Sequence, residues 1–93
     1  MKNWFVYIVK ASDDSLYTGI TLDITKRIQA HNSKKGAKSL VGKLPVTLVY
    51  KETLPSKSDS LKREAAIKHL SRKQKLTLIR VGSSTVEQRT LNP

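Results

Sequence analysis

The sequence contains no cysteine, so disulfides and thiolate metal sites are excluded. Aromatic residues are few: one tryptophan, one phenylalanine and three tyrosines in 93 residues. Any core is therefore small and mostly aliphatic. Apolar residues make up 38% of the chain, below the usual globular share. The length admits one small domain and no second core. No segment approaches the roughly 20 apolar residues needed to span a bilayer. The N-terminus lacks the apolar stretch and small-residue cleavage site of a secretory signal. These absences read as a cytoplasmic protein with no membrane association, and a monomer is expected.

Acidic residues are also scarce. Seven Asp and Glu face eighteen Lys and Arg, a formal charge of +11. Such an excess favours a polyanionic partner, because cationic side chains release counterions from a phosphate backbone. Nucleic acid is the first expectation, DNA ahead of RNA. A membrane surface is disfavoured, since no long amphipathic helix carries a bulky apolar face.

What is present reads as alternating strands and helices. Trp4 to Lys10 is rich in β-branched and aromatic residues and reads as a strand. Its unbroken apolar run predicts burial on both faces, hence a central position. Ser12-Asp13-Asp14-Ser15 supplies a turn, and Leu16 to Ile20 a second strand. Gly19 inside it marks a bulge or a close backbone approach, letting the chain turn tightly. Thr21 or Asp23 caps a helix over residues 24–32, with Ile24 and Ile28 inward and Asn32 facing away. Residues 34–43 hold four lysines and two glycines and read as a loop or irregular helix. Pro45 opens an edge strand from Val46 to Glu52. Ser58 or Asp59 caps a helix over 60–70, with Leu61, Ala65 and Leu70 as the inward stripe. Ser71 caps a last helix to Arg80, with Leu76 and Ile79 inward. Between Leu61 and Arg80 the basic residues Lys62, Arg63, Lys68, Arg72, Lys73, Lys75 and Arg80 face Glu64 alone. Residues 81–93 have no periodicity and read as a mobile tail outside a 1–80 domain.

This order brings together two phenols, Tyr7 and Tyr17, one in each strand of a hairpin. Arg27 and His31 lie four apart on the following helix and so share one face. Glu64 follows on the second helix. Phosphodiester hydrolysis needs a base for water, a charge clamp for the phosphoryl oxygens and help for the leaving oxygen. A guanidinium fork suits phosphate. A lone carboxylate suits magnesium that keeps waters and substrate oxygens as its other ligands. Each residue also has a plainer reading. Glu64 sits four before Lys68 and can be a surface ion pair. The tyrosines can be core residues with bonded hydroxyls, as Tyr50 is expected to be. His69 reads as a surface residue.

Val6-Tyr7-Ile8 and Tyr17-Thr18-Gly19, followed in order by Arg27, His31 and Glu64, resemble the signature of the GIY-YIG nuclease family. The resemblance covers roughly residues 3–80. With Tyr17-Thr18-Gly19-Ile20-Thr21 and Lys35-Gly36-Ala37-Lys38, the chain looks like the small stand-alone bacterial members. These in turn resemble the N-terminal nuclease domain of the excision-repair incision protein. The resemblance implies an α+β domain, a three-stranded antiparallel sheet flanked by helices. It also implies DNA cleavage with one divalent ion held by Glu64, magnesium or else manganese. In that reading Tyr7 or Tyr17 activates water, Arg27 stabilises phosphate charge and His31 assists. Lys26 is a supporting cation, and Lys34, Lys35, Lys38 and Lys43 hold the nucleic-acid backbone.

Three positions depart from the family pattern. Val6 replaces the leading glycine and Thr18 the isoleucine. The asparagine that many members carry about three helical turns after the glutamate has only Gln74 as its nearest amide. The expectation is a structure-selective DNA endonuclease of weak sequence preference, acting in repair or recombination. The alternatives are a non-catalytic DNA- or RNA-binding protein of the same fold, and a basic accessory subunit.

Overall fold

The computed structural model describes residues 3–88, with side chains described over 3–38 and 40–81. Three strands, β1 (Trp4–Lys10), β2 (Leu16–Thr21) and β3 (Thr47–Leu54), form an antiparallel sheet in the order β2-β1-β3. β1 is central, as its continuous apolar run requires. Val6, Tyr7, Ile8 and Val9 are all almost fully buried. Because successive side chains alternate across a sheet, these four feed two cores. Tyr7 and Val9 face helix α1 (Ile24–Asn32) and a short 3-10 helix (Lys38–Lys43), where Ile24, Ile28, Leu40 and Val46 join them. Val6 and Ile8 face α2 (Lys57–Lys68) and α3 (Arg72–Gln88), meeting Ile67, Leu78 and Ile79.

The local chemistry of each element is visible in its caps. Asp23, the second of the two expected caps, closes the α1 N-terminus by accepting from the Lys26 N–H. Asp14 takes φ 68 in the β1–β2 turn, a left-handed conformation that aspartate tolerates. The α2 cap differs from expectation. Ser56, not Ser58 or Asp59, accepts from the Asp59 N–H, and its hydroxyl bonds the Asp59 carboxylate. The helix thus starts at Lys57, and its inward residues shift to Ser60 and Ile67. Leu61, at 46% exposed, and Ala65 face solvent instead. On α3 the same correction applies to Leu76, 44% exposed, which yields its expected inward place to Leu78. Apolar residues in these two helices are too sparse to define one stripe, so the cap decided the phase.

β3 begins one residue later than expected and runs on to Leu54. Asn32, expected to face away, instead accepts from the Val46 N–H at 2.7 Å and donates to the Val46 carbonyl at 3.3 Å. It fastens the end of α1 to the start of β3. Helix α3 carries its backbone past Arg80 to Gln88, so the helix overlaps the first part of the expected tail. The rest of that tail, residues 89–93, lies outside the described residues. Among the described residues no helix is long and apolar enough to cross a membrane.

Candidate active site

The site is built on the α1 face of the sheet. Tyr7 on β1 stands opposite Gly19 on β2, and its ring lies directly over that glycine. A Cβ at Gly19 would sit 2.6 Å from the Tyr7 hydroxyl oxygen and 2.8 Å from Cζ. Gly19 is therefore the close-approach glycine of the two readings. It makes no turn: it lies within β2 with negative φ. The bare backbone lets a core tyrosine lean sideways until its oxygen meets α1.

Two residues of α1 receive it. The His31 Nε2 lies 2.8 Å from the Tyr7 hydroxyl, and the Arg27 Nε–H donates to the same oxygen at 3.4 Å. The spacing of four places both on one face of α1, as expected. Tyr17 on β2 completes a ring cluster. Its centroid is 6.4 Å from that of Tyr7 and 5.5 Å from that of His31, the latter edge-on at 71°.

The other ring nitrogen of His31 fixes its tautomer. The Ala37 N–H points at Nδ1 from 3.3 Å. A backbone N–H only donates, so Nδ1 is the acceptor and carries no proton. The proton of a neutral imidazole must then be on Nε2, which donates to Tyr7. Burial holds the His31 pKa below its usual 6.5, and the Arg27 charge pushes the same way. His31 is thus a neutral donor, only 1% exposed.

The Tyr7 oxygen consequently accepts two N–H bonds, one charge-assisted. Its own proton is the one valence left to give. Burial is the largest influence on this phenol and raises its pKa above 10.0. The Arg27 hydrogen bond opposes that rise, while the charges of Tyr17 and Glu64 add to it. The Tyr7 bond in turn raises the pKa of Arg27, which stays cationic.

Glu64 comes from α2, which packs against β2 and β1 on the opposite face. Its charge nonetheless reaches the Tyr7 phenol. The carboxylate is 18% exposed and pairs with Lys68 at 3.3 Å, the partner that helical spacing suggested. Among the described residues no cluster of three or more His, Asp or Glu could cage an ion. The set fits a hard cation that takes one carboxylate and fills its remaining positions with water and phosphate.

The expected cations divide. Lys26, Lys34, Lys35 and Lys38 are exposed, the last three beside the His31 end of α1. Lys43 is turned to the β1–β2 turn, 3.6 Å from the Asp13 carboxylate. Gln74 does not face the site. Its side chain accepts from the Ser71 N–H at 2.9 Å while its own N–H bonds the Ser71 hydroxyl, a reciprocal cap that starts α3. Tyr50 donates its hydroxyl to Glu52, which also receives the Arg63 Nε–H at 2.9 Å. It is a bonded core tyrosine, as expected, and His69 is exposed. Residue-by-residue reading missed Gly36 and the Ala37 N–H. Their one signal was the Lys35-Gly36-Ala37-Lys38 motif, whose resemblance gave neither residue a role at His31.

Comparison with known proteins shows the family. Residues 3–77 match the GIY-YIG catalytic domain. The UPF0213 protein SERP0126 of Staphylococcus epidermidis is 51% identical over 82 residues, covering 88% of this chain and all of that one. The UPF0213 protein YhbQ of Escherichia coli is 41% identical over 87 residues, covering 94% and 87% respectively. The solution structure of the UPF0213 protein BH0048 from Bacillus halodurans superposes with a TM-score of 0.60 at 41% identity, covering 95% of this chain and 94% of that one. By that match over most of its length and by these relatives, the chain belongs to the GIY-YIG catalytic-domain family.

Proposed function

We propose that the protein is a metal-dependent DNA endonuclease, structure-selective and with weak sequence preference, acting as a monomer in repair or recombination. The observation that carries this reading is the Tyr7 oxygen with two N–H donors on it, from Arg27 and neutral His31. Both donors favour the phenolate over the phenol. Tyr7 is accordingly the base of the pair. In its deprotonated form it takes a proton from the attacking water. Its pKa, raised by burial, makes the rate climb with pH through the neutral range. Arg27 holds Tyr7 through Nε and offers its terminal nitrogens to a phosphoryl oxygen. Tyr17, half-buried beside both rings, orients the water or the phosphate. Glu64 would hold a divalent ion, magnesium or manganese. When bound, such an ion supplies positive charge for the developing negative charge on phosphate. Lys68 would then release its carboxylate partner. Lys26, Lys34, Lys35 and Lys38 track the backbone, and contacts of that kind carry no base information.

Two observations favour a second reading, a nucleic-acid-binding protein of this fold without turnover. Glu64 is already neutralised by Lys68, and the amide nearest the family asparagine is consumed by the α3 cap. The two readings separate in one experiment. Wild type and Glu64→Ala are incubated with labelled single-stranded, duplex, flapped and branched DNA plus magnesium or manganese, with binding measured on the same samples. Cleavage by wild type alone supports the nuclease. Binding by both without cleavage supports the binder. Equal cleavage by both overturns the role given to Glu64.

A further inference from the structure

We infer that residues 34–37 form a positioning clamp for His31, in which Gly36 seats the imidazole and the Ala37 N–H selects its tautomer. The inference rests on the proposed nuclease reading only for its catalytic consequence. The lysine-rich stretch after α1 reads as a solvated loop, yet it is knitted to the helix end. The Lys34 N–H bonds the His31 carbonyl at 3.1 Å, and the Lys35 N–H bonds that of Ala30 at 2.8 Å. Lys34 takes φ 66 to reverse the chain. The reversal lays Gly36 against the ring. A Cβ there would come within 2.2 Å of Nδ1 and 2.9 Å of the His31 Cα. Since no described glycine has positive φ, the backbone at 36 would accept alanine. The His31 ring, together with its Cα, is what forbids it. The next residue supplies the N–H on Nδ1.

The clamp acts at a distance from the phosphate. With Nδ1 occupied by a donor, the ring cannot accept the Tyr7 proton at Nε2 and remains a donor to the phenol oxygen. Without the Ala37 N–H, the opposite tautomer becomes available. The Tyr7 O–H then donates to a bare Nε2, and the phenol oxygen loses its second donor. Gly36 and Ala37 are thus positioning residues for Tyr7, acting through His31.

One substitution removes the N–H and puts the proline Cδ in the hydrogen's place beside Nδ1. Ala37 has φ −66 and ψ 133, the geometry that proline prefers. Ala37→Pro therefore deletes the donor while keeping the backbone angle. The measurement is the 15N spectrum of histidine-labelled protein, where bare and protonated ring nitrogens resonate apart. His69 is an internal reference, because its Nδ1 faces the Ala65 carbonyl at 3.1 Å and must carry a proton there. Wild-type His31 is expected to show a bare Nδ1 and a protonated Nε2, the reverse of His69. In Ala37→Pro the His31 pair is expected to move toward a mixture of tautomers, with His69 unmoved. Gly36→Ala should displace the ring and shift both nitrogens.

On a cleavable substrate, Ala37→Pro should lower kcat by about a hundredfold at nearly constant KM, the low end of the usual range for acid–base groups. A protonated Nδ1 in wild type overturns the clamp without any variant. Unchanged His31 shifts in Ala37→Pro overturn it as well. If wild type cleaves nothing, the nuclease reading fails while the tautomer still decides the clamp.

Discussion

Thr18 shows how one side chain can carry two demands. It lies on β2 opposite Ile8 and faces the α2 core, 4% exposed, with its hydroxyl oxygen unpartnered. A buried unsatisfied hydroxyl costs about 1–3 kcal/mol. Thr18→Val keeps the shape and removes the polar atom, so it should stabilise the fold by about 1 kcal/mol, read as a higher urea midpoint at unchanged m-value. An unchanged or lower midpoint would mean the hydroxyl has found water. His31 makes a different prediction, on pH. Its folded pKa lies below the ordinary 6.5, so the unfolded chain takes up the proton first. The stability tied to neutral His31 is complete above pH 6.5 and is lost as pH falls below it. Asp13 has a lowered pKa, and its contribution disappears only in the carboxylate range. Urea titrations should therefore show stability falling as pH drops below 6.5, and His31→Gln should flatten that slope. A slope surviving in the variant would assign it elsewhere.

Among the elements, α2 and α3 were the two whose phase the apolar pattern left open, and α2 matters more to the site. It carries Glu64 to the site, and its rotation depends on where the helix begins. Ser56 sets that start through its hydroxyl on the Asp59 N–H at 3.1 Å. Ser56→Ala should cost about 1 kcal/mol of stability in chemical denaturation. A loss no larger than a few tenths would show that Ile67 and Ser60, both fully buried, set the phase without the cap. β1 and α1 were far more legible. An unbroken apolar run can satisfy burial only in the sheet centre, and Asp23 followed by Ile24 and Ile28 leaves one helical reading. α2 has Leu61, Ala65, Ala66 and Ile67 spread around its circumference, and that distribution supports several stripes. The site followed the same division. Tyr7, Tyr17, Arg27 and His31 were legible because strand and helix spacings bring them to one face. Gly36 and the Ala37 N–H were not, since a loop has no period from which to read an approach.

For the whole molecule, charge is the governing property. With eighteen basic residues against seven acidic ones, the duplex DNA binding proposed above should depend steeply on salt. Replacing Lys34, Lys35 and Lys38 together by alanine should weaken binding to all sequences alike. It should lower the slope of log affinity against log salt by about one for each phosphate that is no longer neutralised. Lys43→Ala should change the slope less, because that ammonium already has Asp13 at 3.6 Å. Equal effects from all four positions would mean the Asp13 pair gives way to DNA.

The sequence by itself determined the strong positive charge, the central strand, the helix after the hairpin and the order of five candidate site residues. These are properties of composition and of short periods, which act within a few residues. Only the tertiary structure decided that Gly19 serves as a platform for the Tyr7 ring, that Ser56 phases α2, and that Gln74 belongs to a cap. It alone decided that a backbone N–H from the loop fixes the His31 proton. Each of those depends on atoms distant in sequence meeting at hydrogen-bond or van der Waals distance, and no local pattern encodes such a meeting.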